Sequence, residues 1–494
     1  MSQAPYPIAK TRSSTNGTGS VLFSSPDFFV FFAAYLGLHL AVPRQLRIYL
    51  IILGSTIFYA WWKPEYVWLP YLLMGIAYGG GRLVERVRDP AARWRCVLGA
   101  IAALCIPLLV YKYADFISRD VVGPLLGVHP PLLNVPLPLG VSFMTFTLTA
   151  YLLDVYNEKF PANRAPTTIL GYVLFFPHLI AGPILRPYEL VPQLERPIIA
   201  RRAHFTISLA IFTLGLVKKL VFADQIADVV THAYGQVAPP DALQAILAIL
   251  GFAVQIYCDF SGYTDMAIGL AGMLGVRLPG NFRQPYAATS ISDLWRRWHM
   301  TLTRFLGDYV YTPISLSMMR HAVRTRAGKW PTFLLTVALP LNITFLVSGI
   351  WHGAGWNFIM FGAITGLAMS VEFAWRRGGM PPVPNAAAWL LTMVTFLVSI
   401  SFFRANSLGK AADVILAPFL GNWAAIAPFA RHNLFPILLI AIFAVFHRFD
   451  DYRRIRVAVR RGRSELTWVA IALGWVLAIA VSQGSSGKFV YFDF

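Results

Sequence analysis

Long apolar runs, separated by short polar or basic stretches, dominate the chain. They lie at about 27–42, 46–62, 66–80, 94–111, 136–155, 168–185, 204–223, 242–258, 264–276, 331–350, 355–373, 386–403, 434–447 and 466–482. Runs of this length predict helices, because a membrane β-barrel would show shorter strands alternating apolar with polar residues. A full membrane span takes about 20 residues, or roughly 30 Å at a rise of about 1.5 Å per residue. Several runs fall short of that, and 168–185 and 264–276 contain helix-disturbing Pro or Gly. The expectation is an all-α, polytopic membrane protein of about 11–13 membrane elements, at least one of them re-entrant or broken and lining a protein interior. Residues 1–27 are rich in Ser, Thr, Gly and Pro and read as a flexible tail. Residues 28–494 read as a single membrane domain without internal repeats.

Composition sharpens this picture. Only 13% of residues are charged and 57% are hydrophobic, whereas soluble domains carry about 25% charged residues. The net charge of +19 is gathered into basic loops at 82–95, 277–329 and 448–463. The positive-inside bias places those loops in the cytoplasm, which is self-consistent if 168–185 does not fully cross. Such clustering argues against a disordered polycation and against a nucleic-acid partner. Cys96, Cys105 and Cys258 lie in or beside apolar runs without CxxC spacing, so they form neither a disulfide framework nor a metal site.

Three polar clusters carry candidate chemistry. In the loop 277–330, Ser290 and its neighbours offer N-caps to a helix running through Leu294-Trp295-Arg296-Arg297-Trp298-His299. On that helix Trp295 and Trp298 would share a face, as would Arg296 and His299. It would lie at the membrane surface as an ordinary interfacial helix or fold into the protein. His352 stands in Ser348-Gly349-Ile350-Trp351-His352-Gly353-Ala354-Gly355-Trp356, between two long apolar runs. A neutral imidazole there would accept a proton from a hydroxyl. The alternative is a histidine bonded to a helix carbonyl, with the glycines serving helix packing, and the spacing leaves both open.

The third cluster, Gln255–Asp265, puts Asp259, Tyr263 and Asp265 into an apparent break between apolar segments. The two carboxylates would orient the histidines or pair with Arg296 and Arg297, and structural ion pairing is the expected role. His178 follows Pro177 in a proline-broken run, where a bond to a freed backbone carbonyl is expected ahead of a ligand-lining role. No HExxH, GxSxG, Walker A or GxGxxG element stands in a supporting context.

Together these stretches resemble the membrane-bound O-acyltransferase (MBOAT) family, in particular its bacterial branch containing the alginate O-acetyltransferase membrane subunit. The matching motifs are PLGVSF (138–143), FFPHLIAGPILRP (175–187), GLVKKLVFAD (215–224), QIYCDFSGYTDMAIGLAGMLGVRLPGNFRQPY (255–286), DLWRRWHMTLTRFLGDYVYTPIS (293–315), GIWHGAGWNFIMFG (349–362) and the ending YFDF. The resemblance is dense over 138–375. It departs at Ile314–Arg320, where the family often shows a Gly-Gly-Asn-Arg stretch.

The resemblance implies a helical funnel with an intramembrane tunnel. By the family's pattern His352 is the catalytic histidine and His299 the second family histidine. Asp259, Tyr263, Asp265, Trp295, Arg296, Arg297, Trp298, Trp351, Asn357 and His178 are the expected lining or supporting residues. The implied activity moves an acyl group, acetyl foremost, from a cytosolic thioester such as acetyl-CoA across the bacterial inner membrane. The product would be an O-acetylated secreted polysaccharide such as cellulose or alginate. No metal and no permanently bound cofactor is expected. The expected partners are the acyl-CoA donor, membrane lipid, and extracytoplasmic acyltransferase or polysaccharide synthase subunits. Alternatives are D-alanyl transfer to a cell-envelope polymer, a proton-coupled transporter and a non-catalytic scaffold.

Overall fold

The computed structural model describes residues 22–200, 202–423, 425–483, 487 and 489–490. Most of the expected tail (1–21) and the ending YFDF (491–494) lie outside the described residues. Within them every regular element is helical. Seven helices are long and apolar enough to cross a membrane: Pro90–Leu126, His204–Gly235, Ala242–Met273, Lys329–His352, Trp356–Arg377, Asn385–Arg404 and Ser464–Ser482. The pair Ile426–His432 and Leu434–Phe449, bent by 81°, makes an eighth if counted as one span. The other apolar runs form shorter helices, among them Pro26–Ala41, Arg47–Trp62 and Val141–Tyr156. The chain is thus a multi-pass helical membrane protein. It is already packed at Leu22 and Phe23, both buried, so the tail does not extend to residue 27.

Burial sorts the spans. In Ala242–Met273, 72% of the apolar window is buried, against 11% in Ser464–Ser482. The first is therefore the central helix and the second faces lipid. Two apolar cores meet on the central helix, one taking Phe260–Leu274 and the other Ala245–Cys258.

That helix corrects one expectation, because it runs unbroken for 32 residues through Asp259 and Asp265. Its two carboxylates are paired from outside. Lys219 Nζ lies 2.8 Å from both Asp259 and Asp224. Lys218 Nζ lies 2.7 Å from Asp265 and 2.6 Å from Asp450. The carboxylates therefore ion-pair as expected, but with lysines, and not with Arg296 or Arg297. Close approach makes this possible: a Cβ on Gly262 would sit 2.8 Å from the Gly215 carbonyl oxygen.

The break expected in 168–185 is present. Pro166–Leu174 is nine residues long, about 14 Å at the α-helical rise, too short to cross. Phe176 N donates to Ser55 Oγ (3.1 Å), so the Tyr172 carbonyl goes unused by the helix and takes His178 Nε2 at 2.9 Å. His178 is the expected carbonyl-bonded histidine.

The loop 277–330 is folded. Ser290 caps Ile291–Trp295 by accepting from Asp293 N. The helix stops there instead of continuing to His299, which adopts φ 40° at the start of Met300–Leu306. Arg296 and His299 consequently share no face: the Arg296 side chain is 68% exposed and His299 is fully buried.

Removing Lys218 would strand two buried carboxylates, at a cost of about 3–5 kcal/mol. Lys218→Ala should therefore lower the thermal midpoint in detergent. Adding Asp265→Asn and Asp450→Asn should recover part of the loss. A single variant as stable as the parent would show that these pairs do not hold the helices.

Candidate functional site

His352 ends the helix Leu339–His352, whose last carbonyls need partners from outside the helix. Lys112 Nζ donates to the carbonyls of Trp351 (2.6 Å) and His352 (3.0 Å), and Tyr113 donates to that of Ile350 (2.8 Å). A cation suits this end of a helix dipole. One turn back, the Ser348 carbonyl accepts from His352 Nδ1 at 2.6 Å. A carbonyl only accepts, so the proton is on Nδ1 and Nε2 is the basic nitrogen. The glycines serve packing, since a Cβ on Gly349 would fall on the Phe358 carbonyl of the next helix. The second of the two sequence readings is therefore realised, since carbonyl bond and glycine packing both exist, and neither uses Nε2.

His299 is held by the same logic. Its Nδ1 lies 3.1 Å from Asn281 Oδ1, which also accepts from Thr301 N (3.1 Å) and Thr301 Oγ1 (2.9 Å). Thr301 Oγ1 in turn accepts from Ile184 N at 3.0 Å. These bonds lock the left-handed backbone at His299 between two loops. Its Nε2 is buried without a hydrogen-bond partner. Burial pushes the His299 pKa well below the usual imidazole value, and the nearby His352 adds to the shift.

Trp351 touches both imidazoles, with ring centroids 6.1 Å from His299 and 4.7 Å from His352. It stacks on Phe146 at 5.0 Å, while Phe260 of the central helix meets His299 edge-on at 4.7 Å. Buried polar atoms without partners gather here: His299 Nε2, Asn281 Nδ2, Ser348 Oγ and Trp351 Nε1. Buried polar groups are normally satisfied; single atoms without partners also occur elsewhere, as at Tyr35 and Tyr59, but here four gather around one tryptophan, an arrangement suited to a polar ligand. Beside it lies a cavity of about 310 Å³ lined by Trp295, Leu302, Phe345 and Ser348, with the exposed Arg296 and Arg376 among its boundary residues.

The other expected residues divide. Trp295 packs on Phe345 and Phe361, and Trp298 on Phe282 and Phe396, so both are folded inside the protein. Arg296 and Arg297 both pair with Asp293. Asn357 Nδ2 donates to the Ala405 carbonyl at 2.8 Å and closes a helix end. Tyr263 stacks on Phe23 at 4.6 Å, Asp259 and Asp265 belong to the lysine pairs, and His178 is spent on Tyr172. Sequence reasoning missed Lys112, Asn281 and Thr301. Asn281 sits between Gly280 and Phe282 in the motif-rich loop, and that placement was its only signal.

Residues 164–408 match the sequence profile described as MBOAT, membrane-bound O-acyltransferase family. The chain is 35% identical to the probable alginate O-acetylase AlgI of Azotobacter vinelandii over 82% of this chain and 79% of that protein. It is 34% identical to the peptidoglycan O-acetyltransferase of Helicobacter pylori over 74% and 72%. It is 26% identical to the teichoic acid D-alanyltransferase of Bacillus subtilis over 55% and 66%.

The lowered pKa keeps His299 neutral as pH falls through the ordinary imidazole value of about 6.5. Asn281→Asp keeps an acceptor at Nδ1 but places a negative charge there, which favours imidazolium and raises the pKa. If neutral His299 is needed for turnover, the acid limb of the pH–rate profile should move to higher pH in this variant. An unmoved limb would detach His299 from the reaction.

Proposed function

Because the chain belongs to the membrane-bound O-acyltransferase family, and is thus an O-acyltransferase, we propose that it acetylates a hydroxyl of a secreted polysaccharide. The donor is a cytosolic thioester, with acetyl-CoA the simplest. The acceptor is the sugar itself or a hydroxyl on an extracytoplasmic partner that passes the acetyl on. The setting is a bacterial inner membrane. The observation that carries this reading is the pair of buried imidazoles, each pinned at Nδ1 by a carbonyl oxygen and joined through Trp351 amid unpartnered polar atoms.

In the reaction, His352 Nε2 takes the proton of the acceptor hydroxyl as its oxygen attacks the thioester carbonyl. The C–S bond breaks, and the imidazolium returns the proton to the leaving thiolate, so the histidine ends neutral. The Ser348 carbonyl steadies the imidazolium through Nδ1–H. Trp351 Nε1 and Ser348 Oγ are donors within the same cluster, suited to a developing oxyanion. The cavity bounded by Arg296 and Arg376 offers an apolar slot for a pantetheine arm, with cations to meet the phosphates of the donor. His299 serves this donor end. Acetyl is favoured over D-alanyl because the two O-acetylating relatives are 34–35% identical, against 26% for the D-alanyltransferase.

General-base assistance is worth about 10²–10⁴-fold. His352→Ala should therefore lose transfer of labelled acetyl by at least that factor, remain monodisperse and still bind acetyl-CoA. His299→Ala should weaken acetyl-CoA binding as well as transfer. Near-normal transfer by His352→Ala would remove the general-base role. A parent protein that moves no label from any thioester would remove the transferase assignment to this site.

A further inference from the structure

A second cavity, of about 360 Å³, shares no lining residue with the one beside Ser348 and opens where two spans end. The span His204–Gly235 starts beside it and the central helix Ala242–Met273 finishes beside it. Its lining includes Ile207, Ile211 and Ile268, carried by those two spans. It also includes Arg277, Arg456 and Arg460, all exposed, and no Asp or Glu.

The arginines stand on an ordered frame. Gln193 Oε1 accepts from Arg277 N at 2.9 Å, and Gln193 Nε2 donates to the Arg277 carbonyl at 3.0 Å. Arg456 and Arg460 are one turn apart on the helix Tyr452–Arg461. Ile455 and Val459 of that helix pack against the protein core. The helix therefore lies along the body of the protein with its guanidinium groups outward, just before the lipid-facing span Ser464–Ser482 begins.

We propose that this cavity binds the phosphate of an anionic phospholipid, with the acyl chains running down the two spans. Three guanidinium groups without a lining carboxylate select a phosphate or another oxyanion. The isoleucines select a lipid over a free anion, because a hydrated ion gains nothing from an apolar wall whereas a glycerol and its acyl chains bury against it. The position agrees as well: ends of spans lie at headgroup depth, and the positive-inside bias assigns the basic loops 277–329 and 448–463 to the cytoplasmic leaflet, which carries negative surface potential. This inference stands apart from the transferase reading, since none of its residues touches either histidine site.

The test uses the full chain in nanodiscs of equal phosphatidylglycerol and phosphatidylcholine, with retained lipid counted by native mass spectrometry. Each arginine near an anionic surface contributes about fivefold to binding. Arg456→Gln with Arg460→Gln should therefore reduce retained phosphatidylglycerol roughly twenty-five-fold, and Arg456→Lys with Arg460→Lys should keep most of it. Arg320→Gln with Arg324→Gln, another exposed pair one turn apart on Thr312–Arg324 but outside the cavity lining, should reduce it far less, and an equal loss in both double variants would leave only general surface attraction and overturn the proposal. Equal retention of the two lipids by the parent would overturn the proposal. So would unchanged retention in the Arg456/Arg460 double variant, or displacement of the lipid by inorganic phosphate or by acetyl-CoA, which would make the cavity a soluble-anion site.

Discussion

A polar group carried into hydrocarbon has to find its partner within the protein, because water is not there to supply one. That constraint explains most of this structure. Helix backbones satisfy themselves. Lys218 and Lys219 are held by four carboxylates from the central helix and its surroundings. The Tyr172 carbonyl, left over by a broken helix, takes His178, and the last carbonyls of the helix ending at His352 take Lys112 and Tyr113. Scattered buried atoms, such as the Tyr35 and Tyr59 hydroxyls, miss a partner singly, and the arrangement becomes informative where several do so together. His299 Nε2, Asn281 Nδ2, Ser348 Oγ and Trp351 Nε1 are buried around one tryptophan and lack partners. Groups left this way are costly unless a ligand uses them.

The fold and the site are connected through the central helix. Its lysine pairs fix it against the neighbouring span, and Phe260, one residue on from Asp259, meets the His299 ring. The His299 ring is bonded to Asn281, and the neighbouring Thr301 ties this turn to the loops around 281 and 184. His352 is approached from a different element and a different set of capping bonds. The two imidazoles therefore rest on separate supports, and both lie against Trp351. This suits a reaction in which two substrates arrive along different routes and each histidine deals with one of them.

Much of this was legible in the sequence, and the failures have physical causes. Apolar run length showed the helical membrane fold, and Pro177 marked the broken segment. The aromatic surroundings of both His299 and His352, with glycines around the second, singled out both residues. The break assigned to Gln255–Asp265 was an error of context: Asp259 and Asp265 look incompatible with a buried helix until Lys218 and Lys219, some forty residues earlier, are placed beside them. The helix drawn through Leu294–His299 failed because local periodicity does not reveal the Asn281 contacts that hold His299 in a left-handed conformation. Lys112 was invisible for the same reason, lying 240 positions from the carbonyl it serves.

The central claim is that backbone and amide oxygens hold both histidines as Nδ1–H tautomers, leaving Nε2 as the base. Nitrogen-15 NMR of the histidine-labelled protein tests this most directly, with the His299→Ala and His352→Ala variants assigning the two signals. The account predicts that each has a protonated Nδ1 and an unprotonated Nε2 at neutral pH. An Nε2–H tautomer at His352 would contradict it, since that nitrogen would have no lone pair with which to take the hydroxyl proton.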